Sequence, residues 1–261
     1  MFRSLATAAT GMEAQQTRLD VTAHNIANVS TNGFKKERAE FADLMYQTIR
    51  PAGAPTGNGA TAPSNTEIGL GTRLVTTARQ VGQGEMHQTG NPLDIAIEGK
   101  GYLAVTMPDG TTAYTRNGAL QLNAEGKLVT SDGYAVAGDI TVPPDSGAVA
   151  IAADGTVSAT LAGQTQTVEL GKLQLANFVN PGGLAALGGT LFHETSASGT
   201  AVVGTPGTGG TGSIRQGMIE VSNVNVVEEM IDLIQGQRAY EINSRVIKAA
   251  DEMLGETAQL R

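Results

Sequence analysis

Between Ser222 and Leu260, the residues Val226, Leu233, Tyr240, Ile247 and Leu254 recur at a strict seven-residue spacing. Met230 adds an apolar point between the first two, and Ala250 lies near the other side of the same stripe. A seven-residue apolar repeat keeps one face of a long helix turned towards a partner helix. Asn225 stands three residues before Glu228, a capping-box-like start in which each side chain can satisfy an orphan backbone N–H. Glu228, Glu229 and Asp232 then crowd the first turns, where the helix dipole favours negative charge. A helix of this length extends roughly 50 Å, more than a small compact domain usually holds. It needs something long to pack against.

The other end of the chain offers a partner. Leu5, Met12, Leu19 and Ile26 also repeat every seven residues, and the positions between them are small or polar: Ala8, Ala9, Gln15, Gln16, Thr22 and Ala23. The segment is rich in Ala, Gln and Leu and free of proline, so it is helical by propensity. A narrow stripe with small flanks suits close helix–helix contact better than burial beneath a sheet. Periodicity alone leaves an ordinary helical hairpin on one globular domain equally open.

Composition narrows the function. The chain has no cysteine, which excludes disulfides, cysteine nucleophiles and thiolate metal sites. Tryptophan is absent and other aromatics are few, so the core is expected to rest on Ala, Val, Ile and Leu. A net charge of −8 argues against an electrostatic nucleic-acid binder, and the only short basic cluster is Lys35, Lys36 and Arg38. No apolar run reaches the length of a membrane span, so no membrane insertion is expected. Glu13, Arg18 and Asp20 interrupt any leader-like stretch, which points to a cytoplasmic protein or to export without a cleaved leader.

In chain order, Ser4 to about Asn28 reads as the first helix, ending in the run Asn25 to Phe34, whose Asn, Ser, Thr and Gly favour turns. Glu37 to Ile49 reads as a short amphipathic segment with Phe41, Leu44, Met45 and Ile49 on one side. Pro51 to Asn65, uncharged and rich in Pro, Gly, Ala, Thr and Ser, reads as an extended or flexible insertion. From Arg73 the pattern becomes short β segments. Arg73–Val81, Asp94–Glu98, Tyr102–Met107, Thr112–Thr115, Ala119–Asn123, Lys127–Ser131, Thr156–Leu161 and a longer piece at Gln166–Phe178 are separated by Asp-Gly, Glu-Gly and Pro-Gly turns. That rhythm describes an antiparallel all-β middle domain. Thr195 to Ser213 reads as a low-complexity loop at a domain boundary, and Ile214 to Val221 as a strand.

Sites for catalysis are weak. His24, His87 and His193 are isolated and lack metal-ligand spacing. Gly207 to Gly212 fits a dinucleotide-binding glycine pattern, but that pattern needs a buried strand before it and a helix directly after it, and a strand follows here. No Gly-x-Ser-x-Gly elbow occurs. Neither a cofactor nor a metal is expected. A carboxylate pair in a cleft between strands, or a β-rich adhesin that binds carbohydrate, remains open at this point.

The run from Asp20 to Lys35 resembles the N-terminal signature of the bacterial flagellar rod and hook proteins, through Asn25, Ala27, Asn28, Gly33 and Phe34. His24 departs from it, standing where that family usually has Asn or a similar polar residue. Ser222 to Met230 and Gln237 to Ser244 resemble the C-terminal signature of the same family, through Asn223, Asn225, Gln237, Arg238, Tyr240 and Asn243. Asn91–Tyr102, Pro108–Gly118 and Leu128–Thr130 add supporting pieces, so the resemblance covers nearly the whole chain.

The resemblance implies an α+β fold in which long N- and C-terminal helices pair as a coiled coil around a central antiparallel β domain. It implies four parts: residues 1–33 as the first helix of an inner-tube domain, 34–72 as a linking region with the Pro/Gly-rich insertion, 73–221 as an outer β domain, and 222–261 as the second inner-tube helix. Assembly then falls to Leu5, Met12, Leu19 and Ile26 against Val226, Met230, Leu233, Tyr240, Ile247 and Leu254. Small or polar Ala8, Gln15, Thr22, Gln237 and Ser244 lie between them.

The implied function is structural: a helical homopolymer forming a hollow, rigid shaft that transmits torque and encloses an export channel. Implied partners are the chain itself, proximal rod proteins, the hook protein, the peptidoglycan and outer-membrane ring proteins, and the type III export apparatus. The implied location runs from the periplasm to the outer membrane. Chain length and the Pro51–Asn65 insertion favour a distal rod subunit, with a proximal rod or hook-type subunit as the alternative.

Overall fold

A computed structural model describes residues 2–56, 60–138, 140–161 and 167–259. The chain forms two compact units. One comprises Met1–Ile26, Glu37–Ala78 and Asn225–Arg261; the other comprises Ala27–Lys36 and Arg79–Val224.

The first unit holds both long helices. α1 spans Phe2–Ala27. Two antiparallel ribbons follow it. β1 (Glu37–Asp43) pairs with β6 (Thr72–Arg79), and β2 (Tyr46–Arg50) pairs with β5 (Thr66–Gly69), Tyr46 opposite Gly69. Two-residue strands β3 (Pro55–Thr56) and β4 (Ala60–Thr61) pair within the Pro/Gly-rich insertion, whose residues 57–59 lie outside the described residues. The segment read as one amphipathic stretch over Glu37–Ile49 is therefore two strands, β1 and β2. Strand period carries alternate side chains to opposite faces, so Phe41, Leu44, Met45 and Ile49 do not collect on one side. Met45, Tyr46, Ile49, Leu74 and Val75 stay exposed on these ribbons.

The second helix, α2, spans Val226–Gln259, closing the chain order. Its start is capped as the sequence suggests. The Val227 N–H donates to Asn225 Oδ1 at 3.1 Å, and the Glu229 N–H to the Asn225 carbonyl at 3.0 Å.

Among the described residues, the second unit is built of β-strands and their connections with one 3₁₀ turn, apart from Ala27 at the end of α1. Its strands are β7 (Met86–Gln88), β8 (Ile95–Glu98), β9 (Tyr102–Thr106), β10 (Thr112–Thr115), β11 (Leu120–Leu122), β12 (Leu128–Thr130) and β13 (Ala135–Val136). They continue with β14 (Ser146–Ile151), β15 (Thr156–Leu161), β16 (Thr167–Lys172), β17 (Leu175–Asn177), β18 (Ala185–Gly188) and β19 (Leu191–His193). β20 (Val202–Gly204), β21 (Ser213–Gln216) and β22 (Met218–Glu220) complete the unit.

β9 is the hub of the main antiparallel sheet. One edge of β9 pairs with β10, and β13 and β17 share the other. β14, β15 and β16 form a separate three-stranded sheet, β8 pairs with β21, and β7 pairs with β22. The longer segment expected over Gln166–Phe178 is split at Leu173, which leaves β16 and β17 in different sheets. The low-complexity stretch Thr195–Ser213 lies inside this unit, contributing β20 and the buried Ser198.

Ile95, Ile97, Leu103, Val105, Leu120, Leu128, Val157, Leu173, Leu175 and Ile214 form the aliphatic core, as the scarcity of aromatics requires. Four of the ten aromatics pack together, however. Tyr102, Tyr114, Phe178 and Phe192 gather in a second cluster, with edge-on contacts at centroid distances of 4.8–5.9 Å. Edge-to-face packing adds about 0.5–1.5 kcal/mol per pair beyond area burial. The Arg79 guanidinium lies 4.5 Å from the Phe192 ring centre and donates to the Leu184 carbonyl, covering this cluster.

Candidate functional site

In the first unit, the side chains that join α1 to α2 are mostly polar or small. Arg18 pairs with Asp232 at 2.8 Å. Asn25 donates to Glu229 at 3.2 Å. Gly11 sits against Asn243, where an added Cβ would come within 3.1 Å of its amide nitrogen. Gly236 sits against Leu19, where a Cβ would meet a methyl group at 2.9 Å. These pairs order the helices antiparallel: as the α1 number falls from 25 to 11, the α2 number rises from 229 to 243.

Glu229, Gly236, Asn243 and Ala250 are themselves seven residues apart on α2, and Ala8, Gln15 and Thr22 are seven apart on α1. Arg18 and Asp232 are each about 40 % exposed, so solvent screening holds that ion pair below about 1 kcal/mol. Close approach at the two glycines matters more.

Asn25 also anchors the first ribbon. Its Oδ1 accepts from the Glu37 N–H at 3.0 Å, and its Nδ2 donates to the Glu37 carbonyl at 2.8 Å. One buried amide thus imitates a strand partner for the first residue of β1 while holding a carboxylate of α2. The Thr10 hydroxyl does a similar service further along α1, accepting from the Thr72 N–H at the start of β6. Gly71 packs so closely on Thr10 that a side chain there would overlap it.

The apolar repeats have a different surrounding. Leu5, Met12, Leu19 and Ile26 are half-buried on α1, and Leu233 and Ile247 are half-buried on α2. Val226, Met230 and Tyr240 are exposed, as are Gln237 and Arg238. Leu254 falls on the helix but outside the residues whose side chains are described.

In the second unit, Gly33 and Lys35 of the N-terminal run meet Arg116 at Glu220, a fully buried carboxylate. Lys35 donates to its Oε1 at 2.5 Å, and the Gly84 N–H donates to the same oxygen at 2.8 Å. The Arg116 Nε–H donates to Oε2 at 2.8 Å. The other four N–H groups of Arg116 donate to the carbonyls of Ile97, Gly99 and Gly101. Lys35 Nζ also donates to the Gly82 carbonyl. Burial pushes the Lys35 amine below its ordinary pKa, and Arg116 pushes the same way, while Glu220 opposes both.

Gly33 closes the cluster from outside. Its N–H donates to the Glu220 carbonyl at 2.8 Å, its φ is +72°, and a Cβ would strike the backbone between Arg116 and Asn117. Asn223 completes the join: its Oδ1 accepts from the Lys36 N–H, and its Nδ2 donates to the carbonyls of Gln80 and Gly82. Asn28 accepts from the Thr31 hydroxyl in the turn after α1, Phe34 is half-buried and Ala27 is exposed. The sequence did not single out Glu220 or Arg116, and it offered Lys35 only as part of a short basic cluster and as the end of the N-terminal run. A carboxylate in an otherwise apolar strand was the one available signal.

A depression of about 380 Å³ lies beside this cluster, lined by Gln83, Lys100, Tyr102, Arg116, Asn177 and Phe178. Arg116 has spent every donor on carbonyls and Glu220, so it offers none to a ligand. The glycine run 207–212 forms turns ahead of β21, with no helix to receive a phosphate.

Family models match three parts of the chain: "Flagella basal body rod protein" over residues 5–35, "Flagellar hook protein FlgE/F/G D1 domain" over 96–159, and "Flagellar basal body rod FlgEFG protein C-terminal" over 215–260. The flagellar basal-body rod protein FlgG of Buchnera aphidicola is 49% identical over 260 residues, covering 100% of both chains. The proteins of the same name from Caulobacter vibrioides and Bacillus subtilis are 47% and 40% identical, again covering 100% of both chains. The chain belongs to the flagellar basal-body rod protein family. The two terminal rod-family matches coincide with the segments that carry Asn25, Gly33, Lys35, Glu220 and Asn223. Of the residues in the resembling runs, Asn25 and Asn243 lie at the contact of α1 with α2, and Gly33, Lys35 and Asn223 lie at or beside the Glu220 cluster.

Proposed function

We propose that this chain is a structural, non-catalytic subunit of the flagellar distal rod, polymerising into a hollow, rigid shaft that carries torque to the hook and encloses the export channel. The supporting observation is an imbalance in the first unit. Val227, Met230, Ile231, Ile234, Ile242 and Val246 of α2 are exposed, while the contacts to α1 use Glu229, Asp232, Gly236 and Asn243. An apolar surface of that length on a soluble chain calls for cover from other subunits.

On this reading the terminal helices pair as a coiled coil in the wall of the shaft, with Leu5, Met12, Leu19 and Ile26 meeting Val226, Leu233, Tyr240, Ile247 and Leu254 in the polymer. Residues 1–33 and 222–261 make the inner tube, 34–72 the link to neighbouring subunits, and 73–221 the outer layer. Proximal rod proteins, the hook protein and the two ring proteins are its neighbours between periplasm and outer membrane, reached through the type III export apparatus without a cleaved leader. Electron microscopy of the purified protein under assembly conditions tests the reading. Tubes are expected; a protein that stays monomeric under all such conditions overturns it. Leu233→Asp or Ile247→Asp should abolish the tubes and leave the β unit folded, and normal rods from either variant would place the seam elsewhere.

A further inference from the structure

We infer that the outward face of α2 docks on the outward face of α1 in a second copy of the chain, through two ion pairs of matched spacing. This rests on the self-assembling rod reading and names its contact. Arg238 and Arg245 are exposed on α2, seven residues apart. At 3.6 residues per turn they lie on the side of the helix away from Glu229, Gly236 and Asn243, the residues that meet α1 of the same chain. Val227, Ile231, Ile234 and Ile242 flank them on that side, all exposed.

On α1, Glu13 and Asp20 are exposed and also seven residues apart, on the side away from Ala8, Gln15 and Thr22. Small Ala6, Ala9 and Ala27 accompany them, all exposed. Seven helical residues advance about 10.5 Å, so the two acids and the two arginines can pair simultaneously. Among the described residues, Glu13, Asp20 and Arg238 make no ion pair within the chain, and Arg245 only grazes Glu241 at 4.0 Å with both side chains mostly exposed.

The alternatives between copies are worse. Two α2 faces would set arginine against arginine with only Glu241 between them to offset the charge, and two α1 faces would set acid against acid with little apolar area to bury. An α2 face on an α1 face gives opposite charges and seats bulky Ile and Val over Ala. Such a contact joins two different patches, so each copy keeps one of each free, and growth continues unless the rotation closes a ring.

Charge reversal on the full-length chain tests the pairing, with the critical concentration for polymerisation read by sedimentation. Glu13→Lys with Asp20→Lys should raise it at least about tenfold, and so should Arg238→Glu with Arg245→Glu, because each sets like charges together. An equimolar mixture of the two variants should polymerise, since each supplies the face the other needs. The four changes combined in one chain should also restore assembly. Wild-type behaviour by either double variant, or no recovery in both the mixture and the combined chain, overturns the pairing. Failure of the wild-type chain itself to polymerise overturns the rod reading instead, and this contact with it.

Discussion

The two units of this molecule place apolar residues differently. The β unit closes a core in which Leu103, Val105, Val157, Leu173 and Leu175 are fully buried and even the central carboxylate is sealed from water, although Val179, Leu187, Val202 and Val203 stay exposed. The helical unit places polar and small groups where its two helices meet and leaves Ile231, Ile234 and Ile242 outside. A domain finished by its own folding has no reason for the second arrangement. The β unit has a closed core of its own, and on the proposed reading further copies complete the cover of the helical unit.

Substitutions should separate the two along that line. The largest loss is expected for Glu220→Gln, which leaves Lys35 and Arg116 as buried cations without a counter-charge; breaking such a buried pair costs about 3–5 kcal/mol. Urea unfolding followed by tyrosine fluorescence should show it, and a loss below about 1 kcal/mol would mean the cluster is solvated. Gly33→Ala should cost about 2 kcal/mol or more, since it adds a side chain at positive φ against backbone that cannot yield. The same unfolding measurement reads it, and a neutral result would show that the turn after α1 can re-form.

Asn25→Ala belongs to the other unit. It removes three hydrogen bonds at a buried position, for about 1–3 kcal/mol. The change should appear in helical circular dichroism on heating, with the β unit melting unchanged; joint melting of both would contradict the division. Ile231→Ser with Ile234→Ser should change monomer stability by no more than about 0.5 kcal/mol, as exposed sites do, yet stop polymerisation. A large loss in the monomer would show that these residues are already covered.

Much of this was legible in the chain. The Asn225 cap appears where capping chemistry puts it, and the turns at Pro108–Gly110, Ala124–Gly126 and Ser131–Gly133 separate the strands around them. Those features are local, and propensity reads local features. The line of closest helix approach was not legible, because Glu229, Gly236, Asn243 and Ala250 share a period but not hydrophobicity. Glu220 was hidden for another reason: its partners Lys35 and Arg116 lie 185 and 104 residues away, and no window on the sequence contains them together. The strands at Glu37–Ile49 are not evident because four apolar residues near one another suggest a helical face, although here Phe41 and Leu44 are half-buried and Met45 and Ile49 exposed.

The span of the Glu220 cluster has a kinetic consequence. Closing a contact over 185 residues is slow, because the entropy of a long loop must be lost before any of its bonds form. A chain made from its N-terminus carries Lys35 and Arg116 ahead of Glu220, the carboxylate that pairs with both. Burying either cation without Glu220 is costly. Because Glu220 lies on β22, the last strand, the cluster closes only once residue 220 is in place.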